Sequence, residues 1–148
     1  GATTEKWDGK KQSFTGVTNV GDRAFKDCQY LTCMFLDDGI TTIGDHAFYT
    51  DEYLSAINMP RKLELIDQYA FYGCDTLTFV RAGACSRLKR IEDHAFYRCT
   101  MLAELRLPIC LTYIGPWAVE PADDRQGRVR VRQPPQEAQH SLAGHEHR

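Results

Sequence analysis

"IGDHAFYTDEYLSAINMP" spans Ile43 to Pro60. It returns as "IDQYAFYGCDTLTFVRAG" (Ile66 to Gly83) and again as "IEDHAFYRCTMLAELRLP" (Ile91 to Pro108). The pair Ala-Phe falls at 24–25, 47–48, 70–71 and 95–96, in steps of 23, 23 and 25. A degenerate copy, Ala118-Val119, follows 23 residues after Ala95. Alignment on these pairs gives columns of one chemical type. Val20, Ile43, Ile66, Ile91 and Ile114 form one column, and Val17, Ile40, Leu63, Leu88 and Leu111 another. After the Phe come Cys28, Asp51, Cys74 and Cys99, then Leu31, Leu54, Leu77 and Leu102. The last columns are Met34, Ile57, Val80, Leu105 and Leu36, Met59, Ala82, Leu107.

A unit this short cannot bury its apolar side alone. Stacked on copies of itself, each column becomes a continuous apolar ladder. The alternation at Ile57-x-Met59 and Leu105-x-Leu107 has strand period. The stretch from Asp45 to Phe48 reads as a short helical turn, with Asp22, Asp45 and Asp93 placed to cap it. The expected fold is therefore an α/β repeat solenoid, wound right-handed. It has a narrow parallel β-sheet from Met34–Leu36, Ile57–Met59, Val80–Ala82 and Leu105–Leu107, with short helical turns on the opposite side.

The pattern I-x-x-x-A-F-x-x-C-x-x-L-x-x-I-x-L-P resembles the BspA-like leucine-rich repeats of bacterial and protist surface proteins. The resemblance covers Val17 to about Val119. It implies a leucine-rich-repeat solenoid for adhesion or protein binding, at the cell surface or secreted, with no catalytic residue to carry over. The chain departs from the pattern at Asp51, at Ala82-Gly83, in two extra residues within Gly83–Leu88, and in the weak copy Pro116-Trp117-Ala118-Val119.

Around 4.5 repeats thus occupy 17–119, with a lead-in or cap at 1–16 and a tail at 120–148. In the lead-in, Trp7 and Phe14 flank the turn pair Asp8-Gly9 and are placed to shield the open end of the first coil. From Pro121 the chain is rich in Pro, Gln, Arg and His and has no aromatic residue. Such a segment buries too little apolar surface to fold alone and reads as disordered. Within it "RVRVR" (Arg128 to Arg132) reads as solvated, although its alternation also suits a strand added to the sheet. His140, His145 and His147 lack the fold-held neighbours of a dedicated metal site.

The formal net charge of −2 gives no bulk attraction to nucleic acid or anionic membrane. No apolar run reaches the length of a bilayer span. Of the six cysteines, Cys28, Cys74 and Cys99 lie in an inward column, where small thiols pack. No C-x-x-C spacing suggests zinc. Cys85 and Cys110 share a phase on neighbouring turns, which makes them the one pair near enough for a disulfide in an oxidising setting. Free thiols are the favoured reading, because side chains pointing the same way are poorly angled for the bond. His46 and His94 each follow an Asp, and Cys, His and Asp together are the parts of a nucleophilic enzyme. Packing explains them instead, since the histidine position also holds Arg23, Tyr69 and Trp117. No catalytic residue, metal site or cofactor is expected. Asp51, a carboxylate in a thiol column, is expected to escape to water through a local shift of the chain.

The outward sheet positions carry the functional expectation. Phe35, Asn58, Arg81 and Arg106 form one row, and Cys33, Ala56, Phe79 and Glu104 the row two residues earlier. Arg81 and Arg106 on adjacent strands repel unless offset. Glu104 supplies part of that offset, and a partner's carboxylate or sulfate the rest. Phe35 and Phe79 add exposed aromatic area of the kind found in binding hot spots. The expected partner surface is Phe35, Asn58, Phe79, Arg81, Glu104 and Arg106. The expected partner is a protein, acidic or glycosylated, rather than nucleic acid, for which the basic density is too low. The competing reading is a structural segment of a longer surface array with no ligand of its own.

Overall fold

A computed structural model describes residues 16–83 and 86–119, and the backbone of Arg130–Arg132. The apolar columns are buried together. Val20, Ile43, Ile66, Ile91 and Ile114 join Leu31, Leu54, Leu77 and Leu102 in one core. Phe48, Phe71 and Phe96 are at most 1% exposed, and Phe25 packs against the same core from the first coil. Their rings form a ladder with centroids 5.3, 5.1 and 5.1 Å apart and planes within 10° of parallel. That spacing is near the distance between neighbouring strands, so ring stacking and strand pairing share one repeat.

The described residues form ten short strands, in order β1 (Asn19–Val20), β2 (Cys33–Met34), β3 (Thr42–Ile43), β4 (Ala56–Ile57), β5 (Leu65–Ile66), β6 (Phe79–Arg81), β7 (Arg90–Ile91), β8 (Glu104–Arg106), β9 (Tyr113–Ile114) and β10 (Arg130–Arg132). All pairings are parallel. The expected strands are present, each beginning one residue earlier than the sequence suggested, with Met34, Ile57, Val80 and Leu105 as the buried members. They do not make one sheet. β2 pairs with β4, while β6 pairs with β8 and β10.

The longest sheet was not anticipated. It is β1-β3-β5-β7-β9, built on the isoleucine column. Rungs just outside the strands extend it, including Thr41 N–H to Thr18 O (2.7 Å), Glu64 to Thr41 (2.8 Å) and Lys89 to Glu64 (2.9 Å). The tail also departs from its solvated reading at one place. β10 lies parallel to β8 with Val131 opposite Leu105, so it takes the strand position of the next coil.

The helical turns are absent. The described residues contain no helix, and the stretch around each Ala-Phe is a run of turns. Arg23, His46, Tyr69, His94 and Trp117 all adopt φ between 56° and 59°. Asp27, Thr50, Gly73 and Arg98 repeat the left-handed conformation four residues later. Alternate residues thereby aim their amides along the stack. In the second coil His46, Phe48 and Thr50 donate to Gln68, Ala70 and Tyr72 of the third at 2.7–2.9 Å. Ala47 and Tyr49 donate three residues back within their own coil. A helical turn directs its amides within one segment. Here every second amide joins two coils, and that gain offsets the roughly 1–2 kcal/mol cost of each left-handed non-glycine residue.

Candidate functional site

The outer face of β6 and β8 gathers the charged residues singled out in the sequence. Arg81 stands opposite Arg106, and Phe79 opposite Glu104. Arg81 Nε donates to Glu104 Oε1 at 2.8 Å, and Arg106 Nη2 lies 3.5 Å from the same oxygen. The Arg81 guanidinium carbon also sits 4.5 Å from the Phe79 ring centroid. Glu104 is held low between the cations, its side chain 13% exposed against 54% for Arg81 and 50% for Arg106. One carboxylate therefore contacts two guanidiniums, and Phe79 (47% exposed) forms an apolar floor beside them. Exposed charge pairs of this kind add little stability.

Phe35 is exposed beyond the end of β2, at 44%. Asn58 is a correction. Its side chain is half-buried, and its amide is engaged by the backbone of the preceding coil. Its Nδ2 donates to Leu36 O at 2.8 Å, and its Oδ1 accepts from Leu36 N–H at 2.6 Å. The amide mimics a strand rung where β2 and β4 have ended, so Asn58 is a backbone strap.

Asp51 is the second correction. It is fully buried, with no local shift of the chain. Its own N–H bonds Phe48 O at 3.2 Å, as that of Cys74 bonds Phe71 O at 3.2 Å. Oδ1 accepts from Cys28 N–H at 2.8 Å, which gives the carboxyl a reason to stay inside. Oδ2 has no hydrogen-bond partner among the described residues. Burial pushes this carboxyl up to about 7, against the pull of the Cys28 bond and with a further push from Asp27. Cys74 and Cys99 at the same column position donate their thiols to Phe48 O (3.2 Å) and Phe71 O (3.1 Å) of the preceding coil. Burial raises the Cys74 thiol well above its ordinary range. These inward thiols are packing groups, and a nucleophile needs the opposite shift. Cys110 is a free thiol with Sγ 2.9 Å from Ser86 O, while Cys85 lies outside the described residues.

The Asp-His pairs cap no helix. His46 Nδ1 meets Asp45 Oδ1 at 2.8 Å, and His94 Nδ1 meets Asp93 Oδ1 at 2.7 Å. Asp22 Oδ1 instead accepts Asp45 N–H from the next coil. Both imidazoles stack on Tyr69, at 4.9 and 4.8 Å with planes 16° and 7° apart. A second row, Tyr49, Tyr72 and Tyr97, runs beside them, and Trp117 meets Tyr97 edge-on at the last coil. This aromatic side escaped the sequence reading. Its signal was the Tyr after three of the four Ala-Phe pairs (Tyr49, Tyr72 and Tyr97) and the ring-bearing residue before the same three (His46, Tyr69 and His94).

Among the described residues, no group of three or more His, Cys, Asp or Glu is placed to hold a metal ion. No described helix is long and apolar enough to cross a membrane. Trp7, Phe14, His140, His145 and His147 lie outside the described residues.

Comparison with known proteins agrees with this geometry. No curated protein is detectably similar in sequence. Among solved structures, the leucine-rich-repeat protein TpLRR of T. pallidum is similar, with 30% identity and a TM-score of 0.66 over 69% of this chain and 47% of that one. A leucine-rich cell surface protein of Faecalibacterium prausnitzii A2-165 is 19% identical, with a TM-score of 0.47 over 79% of this chain and 43% of that one. A leucine-rich-repeat protein of Bacteroides ovatus is 17% identical, with a TM-score of 0.44 over 78% of this chain and 46% of that one. The chain thus spans less than half the length of each. A sequence profile of BspA-type leucine-rich-repeat regions matches six copies over residues 12–122. The match covers most of the chain, which therefore belongs to the BspA-type leucine-rich-repeat family.

Proposed function

We propose that this chain is a non-catalytic binding module that engages a protein partner through the outer face of β6 and β8, with Phe35 as an outlying contact. One observation carries the reading. Apart from Asp51 in the thiol column, the inward columns repeat their apolar chemistry from coil to coil, while this face breaks the pattern with Phe79, Arg81, Glu104 and Arg106. Packing does not require those residues, and the mixture of an exposed aromatic ring with arginines is the composition of protein-binding hot spots. The working unit is residues 17–119 extended by β10. The buried thiols of Cys74 and Cys99, and histidines stacked among tyrosines, support the non-catalytic reading. The second reading is a structural segment of a longer array. It is favoured by the length of the similar structures, each more than twice the span matched here.

The test compares two charge reversals. Arg81→Glu with Arg106→Glu alters the face, and Lys89→Glu with Arg90→Glu alters β7 and its approach, on a different sheet. A protein captured by the wild type, then measured by calorimetry, should lose binding to the first variant and keep it with the second. Equal binding to wild type and the first variant would leave the structural-array reading ahead.

A further inference from the structure

The first coil closes its turn differently from the two that follow. In the second and third coils the residue at the thiol-column position folds back on its own coil. Asp51 N–H donates to Phe48 O and Cys74 N–H to Phe71 O, both at 3.2 Å. Cys28 holds the same position in the first coil, and its N–H donates to Asp51 Oδ1 at 2.8 Å instead. A side chain of the second coil thus takes the place of a backbone carbonyl. Asp27 is tied across the same boundary. Its N–H donates to Tyr49 O at 2.9 Å, and its carboxylate accepts from Thr50 Oγ1.

This tie strands one atom. Asp51 is fully buried, and its Oδ2 has no hydrogen-bond partner among the described residues. Such a carboxyl is tolerated while it holds its proton and is costly once charged. Towards the third coil it meets Cys74, which is itself fully buried. Towards the first coil the cover is thinner: Phe25 and Cys28 are half-buried, and Gln29 and Tyr30 are exposed. Water therefore reaches Oδ2 most readily if the first coil lifts. The neighbouring groups act in the same direction. Asp27, on the turn that would lift, repels a charged Asp51. On the other side stand the Cys74 thiol, kept neutral by burial, and Asp75 beside it. Lys26, the cation of the first turn, sits over the Tyr49 ring.

We propose that Asp51 is a pH-operated latch: with its carboxyl neutral the turn at residues 25–30 stays docked on the second coil, and with it charged that turn lifts, uncovering the Cys28 thiol and the Phe48 face on which Phe25 stacks. In the docked state burial holds the carboxyl up at about 7, against the Cys28 bond and with a push from Asp27. In the lifted state it meets water and titrates near 4. Between those values only the docked state keeps the proton. Opening therefore grows as pH rises through that window and levels off above it.

The full chain is followed by hydrogen–deuterium exchange and mass spectrometry at pH 5, 6, 7 and 8, with each rate divided by the intrinsic exchange rate at that pH. The amides of Phe25, Asp27 and Cys28, all bonded to the second coil, report the latch. Their opening should rise about tenfold per pH unit from 5 to 7 and then hold steady. Whole-chain unfolding releases the same proton and shares that slope, so residues 70–77 are read alongside. At pH 7 and 8 they should stay at least about tenfold better protected than residues 25–30. Asp51→Asn keeps an acceptor for Cys28 N–H and cannot ionise, and Asp51→Cys gives the column its usual residue. Both variants should show flat opening of 25–30 from pH 5 to 8. Equal protection of the two segments in the wild type would overturn the latch in favour of whole-chain unfolding. A rise that survives in both Asp51 variants would overturn the assignment to Asp51 and pass it to another group, His46 first. Opening of 25–30 that does not change with pH in the wild type would overturn the proposal outright.

Discussion

Phe48, Phe71 and Phe96 place one residue type at one position, 5.1 Å apart and parallel within 4°. The outer row of the same coils reads Phe35, Asn58, Arg81 and Arg106, four positions with three chemistries. Both rows see the same periodic backbone. They differ in what the neighbouring coil demands. Inside, a ring must meet a ring, so a change in one coil leaves a void against the next. Outside, a residue meets water, and the row is free to vary or to be shaped by a partner. The difference teaches where to look in a stacked protein: repetition marks structure, and a break in repetition on a solvated row marks a candidate function. Asn58 qualifies the rule, because its break serves the backbone of Leu36.

The hardest way to break the inner row is Phe71→Ala. Phe71 is fully buried and stacks on Phe48 and on Phe96. The expected cost is about 3–5 kcal/mol, from lost burial and from a cavity with rigid neighbours on both sides. Because a solenoid is stabilised by its units and their interfaces, the unfolding transition should also broaden. Chemical denaturation followed by circular dichroism checks both, and an unchanged midpoint would contradict the ladder.

Asp51 breaks repetition inside the core, and its replacement should therefore help. The folded carboxyl titrates at about 7 because burial disfavours its charge. In the unfolded chain it titrates near 4. Between those values the folded state keeps a proton that the unfolded state has released. Stability therefore falls as pH rises through this window and levels off above it. Asp51→Cys restores the column residue, whose thiol at Cys74 and Cys99 donates to the preceding coil. The variant should be more stable by about 1–3 kcal/mol at pH 8, with a smaller advantage at pH 5. Melting at the two pH values decides it. An advantage independent of pH would mean that the charge of Asp51 is not the cause.

The columns were legible in the sequence because burial repeats with the period of the coil. Val20 through Ile114 and Phe25 through Phe96 needed only alignment on Ala-Phe. The turn side was not legible. Asp45-His46-Ala47-Phe48 has the local signals of a helix start, and those signals lost to amides shared between coils. Such bonds belong to the stack and to no single segment. Asp51 misled for a related reason: a general rule expels carboxylates from cores, while the Cys28 amide of the coil before holds this one in. On the outer face, the pairing of Arg81 with Arg106 was readable from the period. The backbone strap at Asn58 and the addition of β10 opposite Arg106 were not.

The left-handed positions offer a smaller test, of about 1 kcal/mol. Gly73 sits at φ 73°, where the equivalent residues are Asp27, Thr50 and Arg98. Gly73→Ala adds a Cβ 3.3 Å from Thr50 Cγ2 in a conformation that L-residues disfavour. A loss of about 1 kcal/mol is expected. Arg23→Gly, at φ 59° on an exposed residue, should be neutral or slightly stabilising, since relief of backbone strain opposes the entropy gained by the unfolded chain. Destabilisation by Arg23→Gly equal to that by Gly73→Ala would show that side-chain contacts, rather than φ, govern these positions.

The smallest expected effect on stability falls on the face proposed to bind. Arg81→Glu with Arg106→Glu removes two half-exposed guanidiniums that cover no core residue, together with the contacts to Glu104 and the Phe79 ring. Three carboxylates then share the patch, so repulsion between cations becomes repulsion between anions. The net loss should stay under about 1 kcal/mol, because exposed charges are screened and like-charge pairs across a sheet cost little each. Phe71→Ala therefore serves as the contrast: a large loss of stability from the row that repeats, against a small loss with abolished binding from the row that does not. Salt separates contact from steering. Binding that falls with ionic strength equally in the wild type and in the Lys89→Glu, Arg90→Glu control reflects the long-range field, whereas direct contact leaves a gap between the face variant and both of them at high salt. If the face variant lost several kcal/mol of stability, the outer row would be as structural as the phenylalanine ladder, and the contrast between the two rows would fail.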